Sequence, residues 1–389
     1  MNIWQQLQKP IYMLAPMEDV TDTVFRQIIS TVAKPALYFT EFTNVDGFFS
    51  PGHKYISQRL QFDISEKPII AQIWGLKPEN YFLAAKKLVE MGFDGIDINM
   101  GCPQKNVIQH GACSALINNH SLAKEIIDAT KEGANSTNSG QVGVPISVKT
   151  RLGFKTLQTE EWIGFLLKQD LAALTVHGRT AAEMSAVPAH WDEIGKVVEM
   201  RDQTQPVIAS SAKQSSFQNV IPDPLGLSEA SSEPRFHEDK SIKIGNGSRI
   251  KLGMTSNKTL IIGNGDVMSL QEAQEKVEKY GLDGVMIGRG IFHNPWMFGE
   301  NVDISLVTIK QRLDLLLKHV DLFENTWGDD KSFQVLKKYF KIYVQGFAGA
   351  SELRTKLMEC NTKEEVEKII AGIYTNRSRI GVRDDKVTV

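Results

Sequence analysis

The side chains best equipped for chemistry in this 389-residue chain stand at the ends of short β-favouring runs. Asp97-Ile98-Asn99-Met100-Gly101-Cys102-Pro103 is an apolar run that leads straight into a turn carrying a thiol. A buried structural cysteine is the commonest alternative for any thiol, but one set between Gly101 and Pro103 at a strand end is better placed to react than to pack. Lys149, in Val148-Lys149-Thr150-Arg151, can direct its ammonium into the same mouth and stabilise negative charge on a bound ring. The competing reading of Lys149 is a strand-end lysine paired with a carboxylate. His177, in Thr175-Val176-His177-Gly178-Arg179, can contact that ring or a substrate, or be structural.

Two further turns, Ile262-Gly263-Asn264-Gly265-Asp266 and Met286-Ile287-Gly288-Arg289-Gly290, each precede a helical or short turn-like segment. Backbone amides at helix starts together with one arginine can hold a phosphomonoester in the loops after the seventh and eighth strands of a barrel. A lone Gly-Arg-Gly says little, whereas two glycine-bearing turns at consecutive strand ends say much more. No GxGxxG follows the first strand, which disfavours a dinucleotide-binding doubly wound sheet. Cys102, Cys113 and Cys360 are too few and too irregularly spaced for a disulfide framework or a zinc site, and no metal is expected.

These groups need strands to carry them. Strands are read at Ile11 to Met17, Ala36 to Phe42, Pro68 to Trp74, Gly95 to Met100, Ile146 to Arg151, Ala173 to His177, Leu260 to Gly263 and Gly284 to Ile287. Helical patterns alternate with them: Thr21 or Asp22 caps a helix through Val24 and Ile28, and Pro78 to Met91 opens on a first-turn proline. The alternation predicts an α/β fold, a (β/α)8 TIM barrel followed by a smaller C-terminal all-helical domain. The expected division is 1–302 for the barrel and 303–389 for the helical domain.

An insert at about 203–258, rich in Ser, Pro, Asn and Lys, interrupts the barrel and reads as disordered. It contains Ile244-Gly245-Asn246-Gly247-Ser248, a near copy of the later Ile262 run. The second copy is taken as the barrel strand because only it supplies a carboxylate and leads into the amphipathic Leu270 to Tyr280. The insert is read as an ornament, with partner binding as the alternative.

The helical region places Leu313, Leu316, Leu317, Val320 and Phe323 on one face. It also holds Lys337, Lys338, Lys341, Arg354 and Lys356 with Tyr339 and Tyr343 between them, which is either a local basic patch or a solvated helix face. A formal net charge of −2 gives no whole-chain support for nucleic-acid binding. Apolar content of 42% and charged content of 23% fit a globular chain. No apolar run approaches the length of a membrane span, so a cytoplasmic, reducing location away from membranes is expected.

At this point the chain resembles a known family, the tRNA-dihydrouridine synthases. The resemblance rests on Leu14-Ala15-Pro16-Met17 with Val20-Thr21-Asp22 and Phe25-Arg26, on Asn99 to Pro103 with Gly111-Ala112, and on Val148-Lys149 with Arg151-Leu152-Gly153. Leu174 to Thr180, Gly263 to Asp266, Gly284 to Gly290 with Asn294-Pro295-Trp296, and Gly349-Ala350 with Leu353-Arg354 continue it in order. It implies an FMN-bound barrel that reduces the C5–C6 double bond of specific uridines in tRNA. Hydride would pass from FMN, recharged by NADPH, to C6, and Cys102 would give the proton to C5.

By position, the resemblance implies that Pro16, Met17, Glu18, Gln72, Lys149, His177, Asn264, Gly265, Asp266, Gly288 and Arg289 hold FMN. Asn99 would contact the uracil edge, Arg151 and Arg179 would face the substrate, and Lys337, Lys338, Lys341 and Arg354 would meet tRNA. The chain departs from the family at Asp19, where many relatives have glycine, at Cys113, where glycine or serine is usual, and at Glu183, where a basic or amide group is common. A small-molecule flavin barrel resembling dihydroorotate dehydrogenase and a non-catalytic tRNA-binding relative are the competing readings. The oligomeric state is left open, a monomer included.

Overall fold

Eight apolar, β-branched runs pair in parallel, and the order in which they pair closes a ring. The computed structural model describes residues 2–48, 56–136, 143–204, 258–299 and 302–380. The barrel strands are β1 (Ile11–Leu14), β2 (Tyr38–Phe39), β3 (Ile69–Trp74), β4 (Gly95–Met100), β5 (Ile146–Gly153), β6 (Ala173–Thr180), β7 (Leu260–Asn264) and β8 (Gly284–Ile287). β1 lies beside β8 with Ile11 opposite Gly284. The last gap, between β1 and β2, is spanned by the Met13–Leu37 bridge and by the Ala36 N–H donating to the Tyr12 carbonyl at 3.0 Å.

The architecture is the expected barrel, with two expected strands cut short: the first ends at Leu14, not Met17, and the second is shorter still. Ala36 to Phe42 yields only β2 because the Thr40 hydroxyl accepts the Gln72 N–H at 3.0 Å. That side chain takes a donor the ladder would otherwise use, and the chain rejoins β3 only as the two-residue strand Thr43–Asn44. β5 and β6 run further than expected, to Gly153 and Thr180, across a register shift between Arg151 and Gly153. The Ile262 run is the observed seventh strand. The Ile244 copy and nearly all of the insert lie outside the described residues.

Around the strands stand α1 (Thr23–Ser30), α2 (Pro78–Glu90), α3 (His120–Asn135), α4 (Trp191–Thr204) and α5 (Leu270–Tyr280). Asp22, not Thr21, caps α1: its Oδ1 accepts the Phe25 N–H at 3.0 Å, while the Thr21 hydroxyl accepts the Met17 N–H at 2.9 Å. Side chains alternate across each strand. Ile11, Met13, Phe39, Ile70, Ala173, Ile262 and Met286 form an apolar interior closed at its amino-terminal end by Trp4. Further along the same inward register the residues turn polar: Gln72, Asp97, Asn99, Ser147, Lys149, Thr175, His177 and Asn264.

The C-terminal helices are α6 (Ile309–Trp327), α7 (Ala350–Glu359) and α8 (Lys363–Ile380), with tight turns at Phe333–Tyr339 between α6 and α7. They share one apolar core with the barrel's outer face. Phe25 of α1 stacks on Tyr339 at 5.3 Å, and Asp22 Oδ2 accepts from Trp327 Nε1 and Lys331 Nζ, both at 3.0 Å. Asp22 therefore caps a barrel helix and ties the helical region to it. Among the described residues, no helix is long and apolar enough to cross a membrane.

Replacing Asp22 with Ala removes the cap of α1, worth about 1 kcal/mol, and leaves the buried Trp327 N–H unpaired at about 1–3 kcal/mol. Equilibrium denaturation of Asp22→Ala is expected to show a loss of about 2–4 kcal/mol. A loss confined to the cap alone would mean that the Trp327 bond does not fasten the helical region.

Candidate functional site

The thiol-bearing turn is held by a chain of side-chain amides inside the barrel. Period-two alternation along β4 points Asp97 and Asn99 inward and Ile96, Ile98 and Met100 outward into the helical layer. Asn99 Oδ1 accepts the N–H groups of Gly101 and Cys102, both at 3.0 Å. Its Nδ2 donates to Gln72 Oε1 at 3.1 Å, Gln72 Nε2 donates to Asp97 Oδ2 at 2.7 Å, and Ser147 Oγ donates to Asp97 Oδ1 at 2.6 Å. Backbone N–H groups can only donate, so they fix which way the Asn99 amide faces, and Gln72 follows. Burial pushes the Asp97 carboxyl up to about 6, against the hydrogen bonds from Ser147 and Gln72.

Gly101 lets this turn lie against β5, since a β-carbon there would sit 3.3 Å from the Thr150 backbone. From β5, the Arg151 guanidinium donates to the carbonyls of Gly101 (2.8 Å), Thr180 (2.9 Å) and Met184 (3.1 Å). Arg151 thus binds the cysteine turn to the loop after β6. The Cys102 thiol is partly buried, and its pKa is pulled down to about 7, first by a hydrogen bond from the Cys113 thiol and further by the Gln104 backbone and Arg151. Burial, and then Cys102 itself, hold the Cys113 thiol well above its ordinary range.

A cavity of about 600 Å³ opens at the carboxyl ends of the strands. Pro16, Met17, Lys149, His177, Asn264, Gly265, Asp266, Gly288 and Arg289 all line it, as do Arg151 and Pro103 next to the thiol. The Lys149 ammonium faces it and donates to Asn264 Oδ1 at 3.2 Å, not to a carboxylate. Burial and then neighbouring Arg151 lower its pKa to about 8. Burial, reinforced by Lys149 and three arginines, holds His177 well below its usual range and so neutral. Gly265, at φ +131°, could not be another residue: its β-carbon would stand 2.9 Å from Ala189 Cβ. Asp266 pairs with Arg179 from inside and with Arg289 Nη2 at 3.3 Å from the rim.

Several expected site residues stand elsewhere. Gln72 and Glu18 do not line the cavity: Gln72 has both ends of its amide engaged, and Glu18 accepts from Arg59 Nε at 2.9 Å. Asn99, expected at the uracil edge, has its amide oxygen on the Gly101 and Cys102 N–H groups and its nitrogen on Gln72. Arg179 is buried against Asp266 and the Val187 carbonyl. In the helical region, buried Lys337 donates to the Met358 carbonyl (2.8 Å) and Arg354 to that of Val344 (2.6 Å). Lys338 reaches the Asp19 carbonyl, and Lys341 is exposed. Tyr339 and Tyr343 are buried. The basic cluster is thus not one surface.

Met184, Ser185, Met268 and His293 also line the cavity without having been singled out. The first two belong to a loop placed by Arg151, which no local pattern announces. Ser147 and Asp97 were legible as the next inward positions below Lys149 and Asn99.

The fold is that of a (β/α)8-barrel protein, with a cavity at the carboxyl ends of the strands, where such barrels carry their sites. The chain belongs to the dihydrouridine synthase family, whose model matches residues 13–210 and 245–377. It is 39% identical over 372 residues to the Staphylococcus aureus protein named "Probable tRNA-dihydrouridine synthase", covering 95% of this chain and 94% of that one. It is 38% identical to "Probable tRNA-dihydrouridine synthase 2" of Bacillus subtilis, covering 95% of each. Among solved structures, histamine dehydrogenase from Rhizobium sp. 4-9 matches 82% of this chain and 51% of its own, at 12% identity and a TM-score of 0.46.

The thiol geometry sets a titration. Cys113→Ala removes the hydrogen bond that most lowers the Cys102 pKa, so that pKa is expected to rise from about 7 towards its free value. The pH dependence of Cys102 alkylation, read on its own peptide by mass spectrometry, measures this. An unmoved midpoint would assign the depression to Arg151 and the Gln104 backbone instead.

Proposed function

We propose that this protein reduces the C5–C6 double bond of uridines in tRNA to 5,6-dihydrouridine, with FMN in the cavity and NADPH as reductant. The observation that carries this reading is one cavity with an anion cradle at one side and, at the other, Arg151 and Pro103, the residue that follows Cys102. The names of the relatives point to the same reaction.

The residues present fit FMN. Gly265, Gly288 and Arg289 offer backbone and guanidinium donors for a phosphomonoester. Lys149 makes one hydrogen bond among the described residues, so its remaining donors face the cavity without a protein acceptor. The volume lies within the ~300–1,000 Å³ usual for small-molecule pockets. When bound, FMN reduced by NADPH supplies a hydride for C6 of the uracil.

The chain's own groups do the rest. The Lys149 ammonium, weakly solvated, stabilises negative charge at the cavity floor. As the double bond is reduced, charge develops at C5, and the Cys102 thiol gives it a proton as general acid. The Asp97–Gln72–Asn99 chain and Arg151 hold that sulfur in place, so Asn99 acts by positioning. A stacked base cannot enter the barrel mouth and must be extruded, which costs a few kcal/mol. In this reading the barrel (1–302) is catalytic and the helical remainder (303–389) holds the tRNA backbone through cations such as Lys338 and Lys341.

Three measurements test the proposal. The purified protein should show a flavin band that bleaches with NADPH without air and returns on adding unmodified tRNA, with dihydrouridine formed. Bound flavin with no tRNA-dependent return would favour a small-molecule substrate. Cys102→Ala should lower turnover by about 10²–10⁴-fold while retaining flavin and tRNA, and unchanged turnover would overturn the general-acid role. Because the acid must carry its proton, activity should fall as pH rises through about 7.

A further inference from the structure

The second thiol gives no proton in the reaction just described and only tunes the first, on which it sits. Cys113 packs with Val107 and Ala112 in a small apolar cluster against which Cys102 also packs. The two turns are fastened to one another: Ser114 donates to the Cys102 carbonyl through Oγ at 2.9 Å and through its backbone N–H at 3.4 Å. Cys113 itself adopts the left-handed conformation, at φ 52°, which side chains other than glycine rarely take. The two thiols hydrogen-bond to one another. Cys102 is partly exposed and Cys113 buried, both as free thiols.

We propose that Cys102 and Cys113 form a peroxide-sensitive pair, in which Cys102 is oxidised by a hydroperoxide and Cys113 closes a reversible disulfide on it. The Cys102 sulfur attacks one peroxide oxygen, the O–O bond breaks, and Cys102 sulfenic acid and one water (or alcohol) result. The Cys113 sulfur then attacks the sulfenic sulfur, the S–O bond breaks, and a second water leaves with the Cys113 proton. The two thiols lose two electrons in all, and these reduce the peroxide. Attack falls on Cys102 because it is both the more accessible thiol and the one held partly as thiolate near neutral pH. Cys113, buried and protonated, resists direct oxidation but stands in contact with the product.

Two consequences follow. A disulfide removes the proton that the proposed reaction needs at Cys102, so oxidation stops turnover. It also halts Cys102 short of the irreversible sulfinic and sulfonic acids, so a thiol reductant restores activity. The loss of activity rests on the general-acid reading of Cys102, whereas the disulfide itself does not.

The test treats the full-length protein with hydrogen peroxide and maps its cysteines by peptide mass spectrometry before and after dithiothreitol. The expected result is a linked pair of peptides holding Cys102 and Cys113, lighter by two hydrogens, with Cys360 unlinked and at least tenfold recovery of tRNA turnover on reduction. Cys113→Ala and Cys113→Ser should both turn over tRNA before treatment, give sulfinic acid on Cys102 after it, and fail to recover. Sulfinic acid on Cys102 in the unsubstituted protein, with Cys113 unreacted, would overturn the proposal. A clean disulfide in a protein that never forms dihydrouridine would leave the pair standing and refute the enzymatic reading.

Discussion

Closing parallel strands into a barrel sends every second side chain into an interior with no room for bulk water, so each polar group there must find a partner from another strand. That constraint governs the rest of this molecule. Below, the inward positions are apolar and sealed by Trp4. Above, they are polar, and nearly every one is answered by a neighbour: Asp97 by Ser147 and Gln72, Gln72 by Asn99, Lys149 by Asn264. The site is the layer where this pairing leaves donors over, at the cavity-facing Lys149 ammonium.

Three elements converge on the turn after β4. Asn99 holds its amides, Arg151 holds the Gly101 carbonyl, and Ser114 holds the Cys102 carbonyl. A sulfur placed by backbone bonds on three sides needs little reorganisation to meet a substrate, which is how a barrel builds precision from loops. The same fastening brings Cys113 against Cys102, so rigidity and thiol chemistry share one cause.

The helical region is bound to the barrel mainly through burial, with Lys331 on Asp22 and Lys338 on the Asp19 carbonyl as its charged ties. Phe25, Tyr339, His319 and Tyr343 form one aromatic group across the junction. The His319 ring accepts or donates at 2.6 Å to the Tyr343 hydroxyl, and burial lowers its pKa to about 4, keeping it neutral. Lysines that composition would assign to a surface patch divide here between internal carbonyls and solvent. This follows from the amphipathic length of lysine, whose stem packs while its head seeks an acceptor.

The barrel and the place of its strands along the chain, the thiol turn, the strand-end lysine and the two glycine-bearing turns were legible in the sequence, though not the extent of every strand. Each is a local signal, a period of two followed by glycine and a charge, and local signals survive without knowledge of the fold. What the tertiary structure decided is partnership. Asp22 meets Trp327 across 305 positions, Arg179 meets Asp266 across 87, and Asn99 turns to its own strand end instead of outward. Which of several acceptors a buried donor finds depends on strand register and ring closure, and these arise only when distant segments are packed together.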